Sequence, residues 1–297
     1  MDFRYKVFLA VANNLSFSKA AEQLFISQPA VSKQIKELEK THDIALFLRK
    51  GNRISLTPAG SIVYIYAQKA YSLHSDLNCN LGALKNSHKG TLRIGASSSI
   101  TQYLIPNILA NFHTRYPNIS LEILNGNSFE MEQMLSKGKI DIALVENQTS
   151  KSDFNYQNFI EDEIVAIVGT QTSFAKLKYL NISDLNTIPL VLREVGSGTL
   201  QVIEKHFTKE NIEIDKLNIV IHLGSTEAIK NFLSQYDAIG LVSIRSIEKE
   251  LQLNTIKILP IKGMQILRNF RIALPKGPRH GFVDIFINFL EDYNQKL

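Results

Sequence analysis

Cysteine is almost missing: Cys79 is the one thiol in 297 residues. An internal disulfide is thereby excluded, which suits a chain working in a reducing compartment. Long apolar runs are missing too; nothing approaches the roughly 20 residues needed to cross a bilayer. The opening "MDFRYKVFLAVANNLSFSKAAEQ" is interrupted throughout by charged and polar residues and has no leader-like apolar core. The expectation is a cytoplasmic protein with no membrane contact. The seven histidines (His42, His74, His88, His113, His206, His222, His280) are scattered, with no His-x-x-x-His or Cys/His spacing of a metal site. No Walker loop, dinucleotide fingerprint or Gly-x-Ser-x-Gly nucleophile elbow occurs, and "GSGT" at 196–199 is a different pattern. Asp141 in "GKIDIAL" reads as a turn residue and not as a base. No catalytic residue, metal ligand or cofactor is assigned, and an enzyme is not expected.

The length allows two or three domains. A hydrophobic content of 44% and a charged content of 21% are those of an ordinary globular protein. The net charge of +5 is unevenly placed. Residues 1–60 hold nine Lys and Arg against five Asp and Glu, while the other 237 residues hold 24 against 23. A basic head on a nearly neutral body points to a polyanion as the head's partner. Charge alone leaves a solvated basic face as the alternative.

In "SFSKAAEQLFISQPAVSKQIKELE" (16–39), Phe17, Ala20, Ala21 and Leu24 recur at helical spacing behind Ser16, a suitable N-cap. The run breaks at "FIS". Ser27 can cap a second helix, with Pro29 in its first turn where a missing N–H costs nothing. Val31, Ile35 and Leu38 give that helix one buried stripe, and Gln28, Ser32, Lys33 and Lys36 lie on the other face. Two helices and a tight turn over about 17–36 form a helix-turn-helix, whose second helix enters the major groove of double-stranded DNA. Gln suits adenine, Ser bases or phosphates, and Lys guanine or phosphate. A helical hairpin with a solvated face fits the same periodicity. "ALFLRKGNRISLTPAG" (45–60) adds a two-stranded wing with Arg49, Lys50 and Arg53 near its tip, placed for phosphate or minor-groove contact.

Taken together, "SFSKAAEQLFISQPAVSKQIKELE" and "LFLRKGNRISLTPAG" resemble the N-terminal domain of LysR-type transcriptional regulators over about 60 residues. Ala20, Ala21, Leu24, Ser27, Gln28, Pro29, Ala30, Val31, Ser32, Ile35, Leu38, Glu39, Leu46, Phe47, Arg49, Leu56, Thr57 and Gly60 fall on that family's pattern. "THD" at 41–43 departs from it, since the family usually carries Leu-Gly before the wing.

From Pro58 to about Lys85 no turn signal occurs. Tyr66, Ala70, Leu73, Leu77, Leu81 and Leu84 recur every three or four residues, an apolar seam on one long helix. A seam of this length implies a partner, either a second copy of the chain or the chain's own C-terminal part. The resemblance implies the former, with linker helices pairing antiparallel in a homodimer or homotetramer. Cys79 carries no sign of an activated thiolate.

Beyond "HKG" strands and helices alternate: "TLRIGAS" (91–97), a helix over "YLIPNILANFHTRY" (103–116), "ISLEIL", a helix over "FEMEQMLSKG", "IDIALVE", "EIVAIVG", "PLVLRE", a helix from Thr199, "NIVIHLG", a helix from Ser225, "AIGLVS", "NFRIALP" and a last helix over 281–294. This pattern predicts an α/β domain with mostly parallel sheets. In such sheets ligands bind beyond the C-terminal strand ends, at helix N-termini. Three segments qualify. Ser97, Ser98 and Ser99 lie in "GASSSIT". Arg193, Ser197 and Thr199 lie in "LREVGSGTL", where Gly196 and Gly198 allow close backbone approach. Ser225 lies in "LGSTEAI". They suit a small anion, although Ser and Thr at helix starts also serve as plain caps.

The resemblance implies an effector-binding domain similar to periplasmic binding proteins. Its two subdomains would cover about 91–165 with 268–297 and about 166–267, with crossovers near 165–169 and 265–268. It carries ligand contacts to Ser98, Ser128 (in "NGNS") and Thr199. "QYDAIGLVS" (235–243) departs from the common Gly-Leu-Gly and terminal Pro. The expected organisation is a winged helix-turn-helix over 1–60, a linker helix over 61–88 and an effector-binding domain over 89–297. The expected function is a regulator of transcription responding to a small anionic effector. The rival is a DNA-binding regulator whose body only oligomerises or docks a protein.

Overall fold

The computed structural model of the chain describes residues 2–50, 53–84, 90–276 and 281–294. The side chains of Arg49, Lys50, Arg53, Cys79, Leu81 and Leu84, and the Gly51–Asn52 turn, lie outside the described residues. The chain divides into two compact units, 1–90 with 280–282, and 91–279 with 283–297.

The N-terminal unit opens with α1 (Phe3–Asn14), started by the Asp2 carboxylate accepting from the Arg4 N–H at 2.9 Å. Val7 to Ala12 are all buried, so the helix carries no polar stripe there and no helical period to read. α2 (Phe17–Leu24) starts at the expected Ser16 cap, whose Oγ accepts from the Lys19 N–H. It stops at Phe25, which takes left-handed angles (φ 54°) and sends its N–H to Glu22 O at 3.2 Å. α3 (Gln28–His42) follows, capped by Ser27, with Val31, Ile35 and Leu38 fully buried. These three join Val7, Phe8, Val11, Phe17 and Ala20 in one core.

The wing is β1 (Phe47–Lys50) against β2 (Arg53–Leu56), antiparallel with Phe47 opposite Leu56 and Lys50 opposite Arg53. Its base is tied down at several points. Glu39 on α3 accepts from the Leu46 N–H at 2.8 Å. Thr57 donates its hydroxyl to Ala45 O at 2.8 Å and accepts from the Gly60 N–H at 2.8 Å. A Cβ on Gly60 would stand 2.0 Å from Leu46 O, so only glycine lets the next helix pass here. That helix, α4 (Pro58–Leu84), seats Ala67 in the core and Val63 and Tyr64 beside it.

The C-terminal unit is built on a nine-stranded sheet. Its first part runs β3 (Gly90–Ser97), α5 (Ser98–Tyr103), α6 (Ile105–Arg115), β4 (Ile119–Gly126), α7 (Ser128–Ser136), β5 (Ile142–Val145) and β6 (Phe154–Gly169). The second runs β7 (Leu190–Arg193), α8 (Gly198–Lys209), β8 (Ile219–Leu223), α9 (Thr226–Leu233), β9 (Ile239–Ser243), α10 (Glu248–Gln252) and β10 (Ile256–Ile258). β11 (Ile266–Pro275) returns to the first half, and α11 (Gly281–Asn294) closes the chain. The strand order is β4-β3-β5-β11-β6-β9-β7-β8, with β10 on β6.

The pairing is more mixed than the alternation of elements predicts. Parallel pairs lie within the halves (β3 with β5, β7 with β8 and β9). The long strands β6 and β11 run antiparallel to each other and to β9 and β5 respectively. β6 is a 16-residue strand pairing β11 through Ile164 and β9 from Ile164 onward, so one strand serves both halves. The helix expected over 103–116 is α6, which starts at Ile105 with Pro106 in its first turn, where a missing N–H costs little; the short α5 precedes it and ends at Tyr103. Phe112 packs edge-on against Phe286 and Phe289 of α11, with centroids 5.0 and 5.2 Å away.

Candidate functional sites

In the N-terminal unit, Ser27, Gln28, Pro29, Lys33 and Lys36 are exposed and Ser32 is half-buried on the outer face of α3. Gln28 Nε2 donates to Ser32 Oγ at 3.0 Å, one helical turn away, which aligns two groups able to meet base edges. Pro29, Ser32, Lys33, Lys36, Glu37 and Lys40 line an open groove along this face. Lys33 approaches Glu37 only to 4.0 Å on an exposed surface, so its charge stays available to a polyanion. The backbone carrying Arg49, Lys50 and Arg53 forms the two wing strands. Along α4, Tyr66, Ala70, Leu73 and Leu77 are exposed, Tyr66 by 66% and Leu73 by 61%. Ile62, 59% exposed, extends this row by one turn beyond the seam read from the sequence. Among the described residues no helix is long and apolar enough to cross a membrane, and no three His, Cys, Asp or Glu are grouped to hold a metal ion.

In the C-terminal unit the serines and threonines at the strand ends fall into two groups. Ser197 and Ser225 act as caps: Ser197 Oγ accepts from the Leu200 N–H at 3.5 Å and Ser225 Oγ from the Ala228 N–H at 3.1 Å. Ser97, Ser98, Ser128 and Thr199 are engaged instead in a buried polar core where the two halves of the sheet meet. At its centre is the Glu146 carboxylate, just past β5 and 1% exposed. It accepts from Ser97 Oγ at 2.5 Å, from Thr199 Oγ1, and from Arg268 Nη1 at 2.7 Å, while the Glu146 N–H donates to Ser128 Oγ at 3.1 Å. Arg268 Nη1 also reaches Thr199 Oγ1 at 2.9 Å, and Arg268 Nε donates to Asp162 Oδ2 at 2.8 Å. Ser243, ending β9, donates to Asp162 Oδ1 at 2.7 Å.

Arg193 ends β7 and crosses to the other half. Its Nη2 donates to Ser98 Oγ at 2.9 Å, and its Nε to Glu194 Oε2 at 2.8 Å. Arg193 Nη1, Arg268 Nη2 and Ser99 Oγ are buried without a hydrogen-bond partner. At the rim, Tyr103 of α5 donates to Glu227 of α9 at 2.5 Å, and Lys230 bridges Glu227 at 2.7 Å and Glu250 at 2.6 Å.

Burial by itself pushes the Glu146 carboxyl up; the Arg268 guanidinium, with the Ser97 and Thr199 hydroxyls, outweighs it and holds the group at about 2, so it is charged at neutral pH. Glu146, Asp162, Ser243 and Arg268 are absent from the sequence-derived site. Charged residues inside otherwise apolar strand segments ("IDIALVE", "FIEDEIVAIVG", "ILRNFRIALP") are the signal that marks three of them. Asp141 pairs with Arg93 at 2.6 Å at the opposite end of β5, away from this core.

Comparison with known proteins gives a consistent picture. Residues 4–61 match the family described as bacterial regulatory helix-turn-helix protein, lysR family, and residues 85–295 match the LysR substrate binding domain. The chain is 35% identical over 291 residues to a probable RuBisCO transcriptional regulator of Thalassiosira pseudonana, covering 96% of this chain and 95% of the relative. Among solved structures, full-length CbnR complexed with its target DNA superposes with a TM-score of 0.67 at 19% identity, covering 98% of this chain and 99% of that one. The regulatory domain of CcmR from Synechocystis PCC6803, in complex with 2-PG, superposes with a TM-score of 0.64 at 24% identity, covering 70% of this chain and 99% of that domain.

Proposed function

Because the chain belongs to the LysR family of transcriptional regulators, we propose that it reads double-stranded DNA with α3 and the wing and adjusts that binding to a small anionic effector held in the C-terminal unit. Gln28 and Ser32 would meet base edges, and Lys33, Lys36 and the wing's Arg49, Lys50 and Arg53 would meet phosphates, which supply most of the affinity. The exposed row Ile62, Tyr66, Ala70, Leu73 and Leu77, continued in the sequence by Leu81 and Leu84, would pair with its copy in a second chain and set two heads on successive grooves. Such a protein works in the cytoplasm, where its DNA is, as a regulator and not as an enzyme.

The observation that carries the effector reading is the pair of buried guanidiniums between the halves, each with one nitrogen lacking a hydrogen-bond partner. Buried donors of this kind suit carboxylate, phosphate or sulfate oxygens. Ser98 stands beside Arg193, and Thr199 beside Arg268. Effector binding that favours one arrangement of the two subdomains would change how paired heads meet DNA. The test is a thermal-shift screen of the full chain against 2-PG, sulfate, phosphate and small carboxylates, repeated on Ser98→Ala. A shift in the parent that Ser98→Ala abolishes supports the reading; no shift with any of them overturns it. The closure of the core by Glu146 and Thr199 favours a second reading, a body that only oligomerises or docks a protein, which the same negative screen would support.

A further inference from the structure

The arrangement around Glu146 is that of a bound ligand, although the carboxylate belongs to the chain. Ser97 approaches from the end of β3 in the first half, Thr199 from the first turn of α8 in the second, and Arg268 from the strand passing between them. One carboxylate thus collects donors from three elements, two of them presented at the C-terminal ends of parallel strands, where this class of sheet places ligands. The backbone is shaped to allow it. A Cβ on Gly198 would stand 2.7 Å from Glu146 Cβ, 2.7 Å from Asn147 N and 2.6 Å from Ser128 Oγ, so α8 reaches Glu146 because position 198 has no side chain.

The charge balance adds a constraint. Arg193, Arg268 and, from the exposed side, Arg245 already face Glu146, Asp162 and Glu194, three charges of each sign. A further anion placed among them would leave the cluster with an unbalanced negative charge in a poorly solvated interior, which is costly. An anion enters at lower cost if one carboxylate leaves. Asp162 is fixed in the middle of β6, and Ser243 and Arg268 hold it there. Glu146 instead heads residues 146–150, which lie in neither helix nor strand.

We infer that Glu146 is a tethered anion that stands in for the effector's anionic group on Ser97, Thr199 and Arg268, and that effector binding exchanges it out. The second half of this statement rests on the effector reading above; the first half does not. The exchange makes Glu146 the residue that sets which anions are accepted: a ligand must offer Arg268 and Thr199 more than a carboxylate already in place. Removal of Glu146 is expected to leave a site that a free carboxylate can fill.

The test is rescue of Glu146→Ala in the full chain. Its melting temperature is compared with the parent's in acetate, formate, acetamide and chloride at matched ionic strength and neutral pH. Acetate and formate are expected to raise the variant's melting temperature by roughly 2–4 °C more than the parent's, with no such gain from acetamide or chloride. Equal gains in variant and parent would overturn the inference. Should Glu146→Ala fail to fold, Glu146→Gln keeps the shape and most hydrogen bonds while removing the charge. Inorganic phosphate should then shift Glu146→Gln more than the parent, and an equal or smaller shift is the overturning result. Rescue of Glu146→Ala in a parent that binds none of the screened anions would leave the tethered anion standing and sink the effector reading. A parent that binds 2-PG, with no rescue in the variant, would do the reverse.

Discussion

Lys33, Lys36 and Lys40 of the N-terminal unit stand on the open face of α3, solvated and scarcely paired, over a core built of apolar side chains with Thr57 at its edge. In the C-terminal unit Arg268, Glu146 and Asp162 are buried and bonded to one another across the middle of the sheet, and the equally buried Arg193 is bonded to Ser98 and Glu194. The difference bears on what each unit can do. Exposed charges reach a polyanion without rearrangement and pay no desolvation cost beforehand, so the head is ready as folded. Buried charges paired with one another change partners only in discrete steps, since each lost bond strands another group. Such a core can therefore hold two states, which a signal-responsive unit needs.

The contrast breaks most visibly at Arg268. Arg268→Ala leaves Glu146 and Asp162 buried without their shared cation, and about 3–5 kcal/mol of stability of the C-terminal unit is expected to be lost. Lys36→Ala, a removal of the same charge from the exposed face, should change stability by no more than about 0.5 kcal/mol. Urea unfolding of the two variants followed side by side checks this. Comparable losses at both positions would show that burial is not what separates the two units.

Acid sharpens the same comparison. Glu146 is held at about 2 in the folded chain against 4.5 for the free group, so its folded value is the depressed one. The stabilisation it brings is present above the unfolded value and is lost as pH falls from about 4.5 towards about 2, with a size of order 3 kcal/mol. Glu146→Gln cannot titrate. The stability gap between parent and Glu146→Gln should therefore be open at neutral pH and shrink through that window. A gap that stays constant with pH would mean the carboxylate's charge is not what the core relies on.

The two units also differ in how far their sequences disclose them. α2, the turn and α3 are readable because each boundary is set locally: Ser16 and Ser27 cap, Pro29 fits a first turn, and Val31, Ile35 and Leu38 keep one face. α1 escapes the same reading because Val7 to Ala12 are buried on every side, which erases the amphipathic period. In the C-terminal unit the hydroxyls of Ser97, Ser98 and Thr199 are visible from strand–turn–helix patterns, and Ser128 from the family resemblance alone. Their partners are not, since Glu146, Asp162 and Arg268 are brought together over separations of up to 122 residues by the antiparallel crossing of β6 and β11. No local pattern encodes that crossing, whose strand pairing is mixed where alternation of elements suggests parallel.

On the head, the proposed DNA reading gives Gln28 a part in reading sequence and Lys36 a part in adding charge alone. Gln28→Ala is expected to relax sequence preference, with roughly 1–3 kcal/mol of discrimination lost between specific and random DNA. Lys36→Ala should weaken both DNAs alike and reduce the salt slope of binding by about 1. Titrations of each variant against both DNAs over a range of salt separate the two effects. Unchanged discrimination in Gln28→Ala would mean that α3 lies in the groove in another orientation.

The smallest expected effect tests whether exposure in the head always serves a purpose. Phe25 is 95% exposed and takes φ 54° in the turn between α2 and α3. Left-handed angles crowd the Cβ of an L-residue against its own carbonyl, at a cost of about 1–2 kcal/mol that glycine avoids. Part of this gain is offset by the greater freedom glycine has when unfolded. Phe25→Gly is thus expected to stabilise the N-terminal unit by about 0.5–1 kcal/mol, seen as a higher thermal midpoint, with DNA affinity unchanged. The backbone bond from residue 25 to Glu22 O does not depend on the side chain and should persist. A stabilised variant that nevertheless loses DNA affinity would show that the ring is retained at a conformational cost for contact beyond this chain.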